Sequence, residues 1–194
     1  MPRFTRTLPL PTAVMLAATI TASLAAQSPT QSPPASPATA SAGLPDIIVA
    51  TMDAGSKHIR MMFTIAADSM SEADFAFRPT PEVRTFAQLL AHVAESNYIF
   101  CSSALGESNP ATDLEKTKTT RADVRQVMIE SFDYCDRAFA AMHDEKRAQA
   151  MRMFRKTPLP ALAVLNFRNY HSLLHWGNAI TYMRLRGKVP PTAG

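Results

Sequence analysis

The strongest constraint on the fold is the spacing of apolar residues, which recur every three or four positions in four segments of the 194-residue chain. This period is that of an amphipathic α-helix, and no stretch shows the sustained alternation expected of a half-buried strand. With only 6 Gly beside 11 Met, the composition also argues against a turn-rich β-sandwich or barrel. The chain is therefore predicted to be all-α.

Turn and capping signals place the ends of the four predicted helices. Gly106 ends the second helix, and Thr120 with Asp123 three residues later is typical of a helix start. Helices that each carry one apolar stripe bury it most economically against one another, which predicts a four-helix bundle over residues 45–191 with a variant of up-and-down topology. The helices cover about residues 46–70, 85–105, 120–142 and 161–185, with an irregular or short helical crossover over 144–157 that buries part of Met151, Met153 and Phe154.

The N-terminal region has the order of a secretory signal. Arg3 and Arg6 precede an apolar stretch, and small residues end it near Ala26. A membrane anchor is the alternative, but the uninterrupted apolar run is shorter than the roughly 18 residues that a span needs. Residues 1–26 are therefore predicted to be a signal peptide that leaves no membrane anchor, and residues 27–44, rich in Pro, Ser and Ala, a disordered linker. The mature protein would be periplasmic or secreted.

Export bears on the charge and on the two cysteines. Without Arg3 and Arg6, the 20 basic residues become 18 against 16 acidic ones, too small an excess to indicate nucleic-acid binding. Cys101 and Cys135 would lie in a compartment that permits disulfides. We expect them to form one bridge, and two buried thiols are the alternative.

Three histidines form a candidate metal site. His171 and His175 are four residues apart, so on a helix their imidazoles project from one face about a turn apart. His92 lies among apolar residues in the middle of the second predicted helix. Three neutral imidazoles with one open position are typical of a catalytic zinc-type site. The alternative is that these are ordinary core histidines.

Residue identities exclude two familiar kinds of metal site. Ser172 occupies the position where the HExxH motif of metalloproteases has its glutamate, so this helix carries no built-in general base. No Glu-x-x-His pair occurs in the sequence, which argues against a carboxylate-rich di-iron bundle.

The chain resembles the DinB/YfiT-like family of four-helix metalloenzymes over about residues 47–191. The likeness is carried by residues 77–81, 84–94 and 171–187 together with the prolines that follow. The resemblance implies a metal triad of one histidine on the second helix and an HxxxH pair on the last, which are His92, His171 and His175 here. It also implies a divalent ion, commonly zinc or nickel, and in some relatives a low-molecular-weight thiol as cosubstrate.

Three further side chains share faces with the histidines. Glu95 lies one turn beyond His92 and could orient an imidazole or act as an acid or base, although a capping or solvated carboxylate is the alternative. Asn178 and Tyr182 follow the HxxxH pair on its face and could contact substrate, or else form hydrogen bonds in the core.

These observations lead to one main hypothesis and two competing ones. The main hypothesis is an exported metalloprotein, monomeric or homodimeric, that activates water or a thiol for hydrolysis or transfer on a small molecule. The first competitor is a non-catalytic bundle that binds a metal or small ligand, with a fourth protein ligand such as Glu95 or His58. The second is a metal-free structural bundle.

Overall fold

The computed structural model describes residues 43–152 and 157–191, and the following elements are those of the described residues. Four long helices dominate, separated by short helices and a small two-stranded ladder. The elements are α1 (Leu44–Ser69), α2 (Glu72–Phe75), α3 (Phe86–Leu105), α4 (Leu114–Thr117), α5 (Arg121–Ala140), α6 (Asp144–Ala148), β1 (Ala150–Met151), β2 (Leu159–Pro160) and α7 (Ala161–Leu185).

The ends of the long helices follow the capping chemistry of the sequence. Thr85 precedes α3 and accepts a hydrogen bond from the Gln88 N–H in a capping box, which satisfies donors that have no partner inside the helix. Thr120 likewise accepts from the Asp123 N–H at the start of α5. Gly106 ends α3 with a φ of 76°, a left-handed conformation that glycine adopts without steric cost.

The predicted four-helix bundle is confirmed, and its topology is a variant of the simple up-and-down order. Helix α3 packs against α5 and α7, and α1 packs against the same two helices. Consecutive long helices α1 and α3 therefore lie on one diagonal, with α5 and α7 on the other. This arrangement gives α3 and α7, which carry the three candidate histidines, a long shared seam.

The core between the helices is apolar and contains the predicted disulfide. Phe63 of α1 packs edge-on against Trp176 of α7, with 5.4 Å between ring centroids. Cys101 of α3 and Cys135 of α5 are fully buried and joined by a disulfide, which confirms the expected bridge and links two neighbouring helices covalently.

The short elements were not predicted as such. Helix α2 is a single turn closed by a capping box between Ser71 and Asp74. The crossover contains α6 and then a ladder in which Ala150 pairs with Pro160, so the expectation of an irregular or helical segment was only partly right. Pairing of two residues per strand is too short to leave a periodic signal in the sequence. Met151 is buried, whereas Met153 and Phe154 lie outside the described residues.

The predicted signal peptide lies outside the described residues, as does the linker except for its last two positions. There, Leu44 already forms the first turn of α1, two residues before the predicted helix start. Within residues 43–152 and 157–191, none of the helices combines the length and apolar character that a bilayer crossing requires.

Candidate metal centre

The three histidines predicted to bind metal lie together where α3 packs against α7. One ligand nitrogen from each of His92, His171 and His175 lies within 4.8 Å of the other two. Their ring centroids are 4.7 Å apart for His92 and His175, 5.3 Å for His92 and His171, and 4.6 Å for His171 and His175. Three imidazoles from two helices therefore lie close enough together to hold one metal ion between them.

Burial keeps two of these imidazoles neutral. Desolvation is the main cause that lowers the pKa of His171 to about 4, with the charges of His92 and two arginines adding to it. Desolvation also lowers the pKa of His175 to about 4, followed by the effect of the other two histidines. A neutral imidazole has a lone pair on one nitrogen, which is the form that binds a metal.

Two nitrogens of the cluster lack a hydrogen-bond partner in the part of the chain that the structure describes. His171 Nε2 and His175 Nδ1 are both buried without a hydrogen bond among the described residues. Leaving a buried polar nitrogen without a partner costs about 1–3 kcal/mol, so such atoms normally bind a further group such as a water molecule or an ion. Three imidazole nitrogens suit an ion such as zinc or nickel, whereas calcium and magnesium prefer oxygen ligands. The residues present thus fit a metal ion.

A carboxylate that sequence reasoning missed contacts the site. Glu115 Oε1, from helix α4, lies 2.5 Å from His92 Nδ1. Arg84, from the segment before α3, binds the same carboxylate in a bidentate pair, with Nε 2.7 Å from Oε2 and Nη2 3.1 Å from Oε1. Burial acts to raise the pKa of Glu115, but hydrogen bonds from Arg84 and His92 outweigh it and hold that pKa below its ordinary value. Glu115 lies in a polar connection without periodicity, so no pattern in the sequence indicated this contact.

Glu95, the carboxylate proposed from the sequence, has a different position. Its two oxygens accept hydrogen bonds from the backbone N–H groups of Asp113 and Leu114, at 3.2 and 3.0 Å. It therefore caps the N-terminus of α4, where a negative charge is favoured by the helix dipole. This contact corresponds to the alternative in which Glu95 is a capping carboxylate. It joins Glu95 to α4, the helix that carries Glu115.

Asn178 and Tyr182 lie on a cleft beside the histidines. The cleft has a volume of about 530 Å³, and its lining also includes Arg84, Glu115 and Leu89. The Tyr182 hydroxyl donates a 2.6 Å hydrogen bond to the Arg84 carbonyl. The histidines are not among its lining residues in the described chain, but Arg84 and Glu115 border both the cleft and His92. The site thus adjoins a space of the size that small ligands occupy.

Below the site, a buried arginine fixes the position of α7. Arg168 is fully buried and donates to Asn97 of α3 at 2.7 Å, to Ser56 of α1 at 2.8 Å and to Asn169 at 2.9 Å. Burial lowers the pKa of Arg168 to about 9. Because Arg168 lies one turn before His171, these bonds set the rotation of α7 that aims its histidines toward α3. The sequence analysis predicted no such role for Arg168, because two of its partners, Asn97 and Ser56, come from other helices.

With this geometry in place, comparison with known families identifies the chain. The profile of the DinB superfamily matches residues 57–179, which include all three histidines. The chain belongs to the DinB superfamily. The resemblance inferred from the sequence is thereby confirmed. No curated protein sequence matches the chain.

Solved structures support the same fold. A DinB-like protein from Bacillus subtilis is 17% identical, with a TM-score of 0.61 over 73% of this chain and 96% of that one. A DinB-like protein from Bacillus cereus is 14% identical, with a TM-score of 0.63 over 76% of this chain and 95% of that one. A variant of a mycothiol-dependent maleylpyruvate isomerase is 13% identical, with a TM-score of 0.58 over 68% of this chain and 60% of that one.

Proposed function

We propose that this DinB-superfamily chain is an exported metalloprotein that binds one divalent ion, zinc or nickel, through His92, His171 and His175. The observation that carries the proposal is the close approach of the three imidazoles, two of which have buried nitrogens without a partner among residues 43–152 and 157–191. A divalent ion held there supplies Lewis acidity, which activates water or a thiol toward a small substrate.

The side chains around the site have distinct proposed roles. His171 and His175 present neutral nitrogens because burial keeps their pKa values low. The cleft lined by Asn178, Tyr182 and Leu89 offers a mixed polar and apolar wall for a small molecule beside the site. Asn178 would orient the substrate through its amide, and Tyr182 holds the Arg84 carbonyl at the cleft wall. The reaction we favour is hydrolysis or group transfer.

A low-molecular-weight thiol is one candidate cosubstrate. A structural neighbour with 13% identity is a mycothiol-dependent isomerase, and this chain spans 60% of that protein. Function depends on the site and not on the fold alone, so thiol use by this chain is a proposal that activity assays test. Turnover of small electrophiles with and without added thiol distinguishes thiol transfer from hydrolysis.

The metal site itself is tested by metal analysis of protein produced for export, without a histidine tag or chelators. We expect about one equivalent of zinc or nickel per chain, and its loss in the His171→Ala, His175→Ala double variant. The matched control is His143→Ala, because His143 is exposed and precedes α6, outside the triad. Wild-type protein without metal, or a double variant that keeps its metal, would overturn the proposal.

A non-catalytic metal-binding bundle is the competing function. It requires a fourth protein ligand, and the two candidates suggested by the sequence lie elsewhere. Glu95 is bonded to the α4 backbone, and His58 lines a separate groove with Met62 and Trp176. Their positions support an open coordination site. If chelation lowers the melting temperature strongly and no substrate turns over, the structural role is favoured instead.

Export remains part of the proposal. It rests on the N-terminal sequence pattern and is supported by the buried Cys101–Cys135 disulfide, a bond that is rare in reducing compartments. Intact mass and N-terminal sequencing of the protein from its native compartment test it. We expect cleavage near Ala26 and a mature mass two hydrogens below that of the reduced chain.

We also propose that two copies of the chain associate through the outer face of α7. Between Asn169 and Met183 this helix has no Asp, Glu, Lys or Arg, and it exposes Tyr170, Leu173 and Leu174. An apolar face without charge can meet its own copy across a two-fold axis without repulsion. Sedimentation analysis should show a dimer that Leu174→Glu dissociates, whereas a monomeric wild-type protein would exclude it.

A further inference from the structure

We propose that Glu115 is a positioning residue that orients the His92 imidazole, and that Arg84 holds Glu115 in place. The inference deepens the proposed function and rests on it, because the purpose of the arrangement is to present His92 as a ligand. It concerns a carboxylate from a different element, α4, that reaches across to the histidine of α3.

The hydrogen-bond chemistry of the three groups fixes the tautomer of His92. An ionised carboxylate only accepts hydrogen bonds and a guanidinium only donates them. Glu115 Oε1 lies 2.5 Å from His92 Nδ1, whereas Arg84 Nη2 is 3.4 Å away from the same nitrogen. The short contact therefore has Nδ1–H donating to Glu115. The lone pair is then on Nε2, which becomes the ligand atom.

The position of Glu115 is itself determined by its neighbours. Arg84 binds both carboxylate oxygens, which fixes the orientation of the carboxylate plane as well as its position. Glu95 holds the first turn of α4 through two backbone N–H groups. Tyr182 holds the Arg84 carbonyl from α7. Glu95 and Tyr182 thus support the segments that carry Glu115 and Arg84.

This pair differs from an ordinary surface ion pair. Most exposed ion pairs contribute at most about 1 kcal/mol to stability. Glu115 is partly buried and shares one oxygen between an arginine and an imidazole. A comparable pair without a histidine exists in the same molecule, where Arg137 binds both oxygens of Glu107 at 3.0 and 2.9 Å. That pair provides a matched control.

The first measurement needs no metal. In metal-stripped protein above the titration range of imidazole, ¹⁵N NMR reports which nitrogen of His92 is protonated. We expect Nδ1–H in the wild type and in Glu107→Ala, and a shift toward Nε2–H in Glu115→Ala. A wild type with Nε2–H, or a tautomer unchanged in Glu115→Ala, would overturn the inference.

The second measurement is zinc affinity by competition with a chelator. Removing a carboxylate that orients a ligand imidazole typically weakens metal binding about 10–100-fold. We expect this loss in Glu115→Ala, a smaller loss in Glu115→Gln, which keeps a neutral acceptor, and none in Glu107→Ala. Unchanged affinity in Glu115→Ala with a wild-type circular dichroism spectrum would contradict the role. If wild-type protein binds no metal while the tautomer shifts as expected, the proposed function fails but the positioning contact stands.

Discussion

Acidification of the metal-free protein tests whether the two α7 histidines are buried as neutral groups. Their pKa values of about 4 in the folded protein lie below the ordinary value of 6.5, which the unfolded chain should recover. Well above pH 6.5 both states carry neutral imidazoles, and these groups then cause no pH dependence. Between pH 6.5 and 4 the unfolded state binds protons that the folded state does not, so stability must fall as the pH falls.

The size of the loss follows from these values. At pH 5, a native pKa of about 4 and an unfolded value of 6.5 lower the free energy of unfolding by about 2 kcal/mol for each imidazole. Neither ring is fully enclosed, and solvent screens their charges. We therefore take about half of the sum, about 2 kcal/mol for His171 and His175 together, as the expected effect.

Urea unfolding of chelator-treated protein at pH 7 and pH 5 measures this effect. The control is the His171→Gln, His175→Gln double variant, which cannot titrate at these positions but shares every other ionisable group. We expect the wild type to lose about 2 kcal/mol more than the double variant between the two pH values. Equal losses would show that the histidines are not held neutral and would refute the burial on which the proposed centre depends.

Three further changes test the fold around the centre. Replacing Cys101 and Cys135 by serine opens a link across 34 residues and should cost about 4 kcal/mol in chemical unfolding; a loss below 1 kcal/mol would contradict a formed bridge. Arg168→Met leaves the side chains of Asn97 and Ser56 without their donor and should cost about 3 kcal/mol, an effect that an unchanged urea midpoint would disprove. Gly106→Ala should lower stability by about 1 kcal/mol, because Gly106 has a φ of 76°. Gly177→Ala should raise stability by about as much, because Gly177 lies in the exposed middle of α7. Thermal unfolding that shows the same sign for both variants would be inconsistent with these conformations.

The sequence by itself determined the helical class, the approximate bounds of the four long helices and the three candidate ligands. These are local properties: the period of the apolar residues, Thr85 and Thr120 as caps, and two histidines separated by one helical turn. A pairing such as Cys101 with Cys135 was also accessible, because the chain has only two cysteines.

Tertiary structure alone decided how these parts meet. Placing α1 and α3 on one diagonal lets α3 share a seam with α7, and so brings His92 to the HxxxH pair. It also brought Glu115 into contact with His92, 23 positions away in the sequence, and placed Glu95 at the N-terminus of α4, 18 and 19 positions away. No periodicity encodes such contacts, because they depend on how a short polar helix lies against a long one. The local sequence pattern thus predicted the candidate ligands. The contact of Glu115 with one of them became visible only in the packed structure.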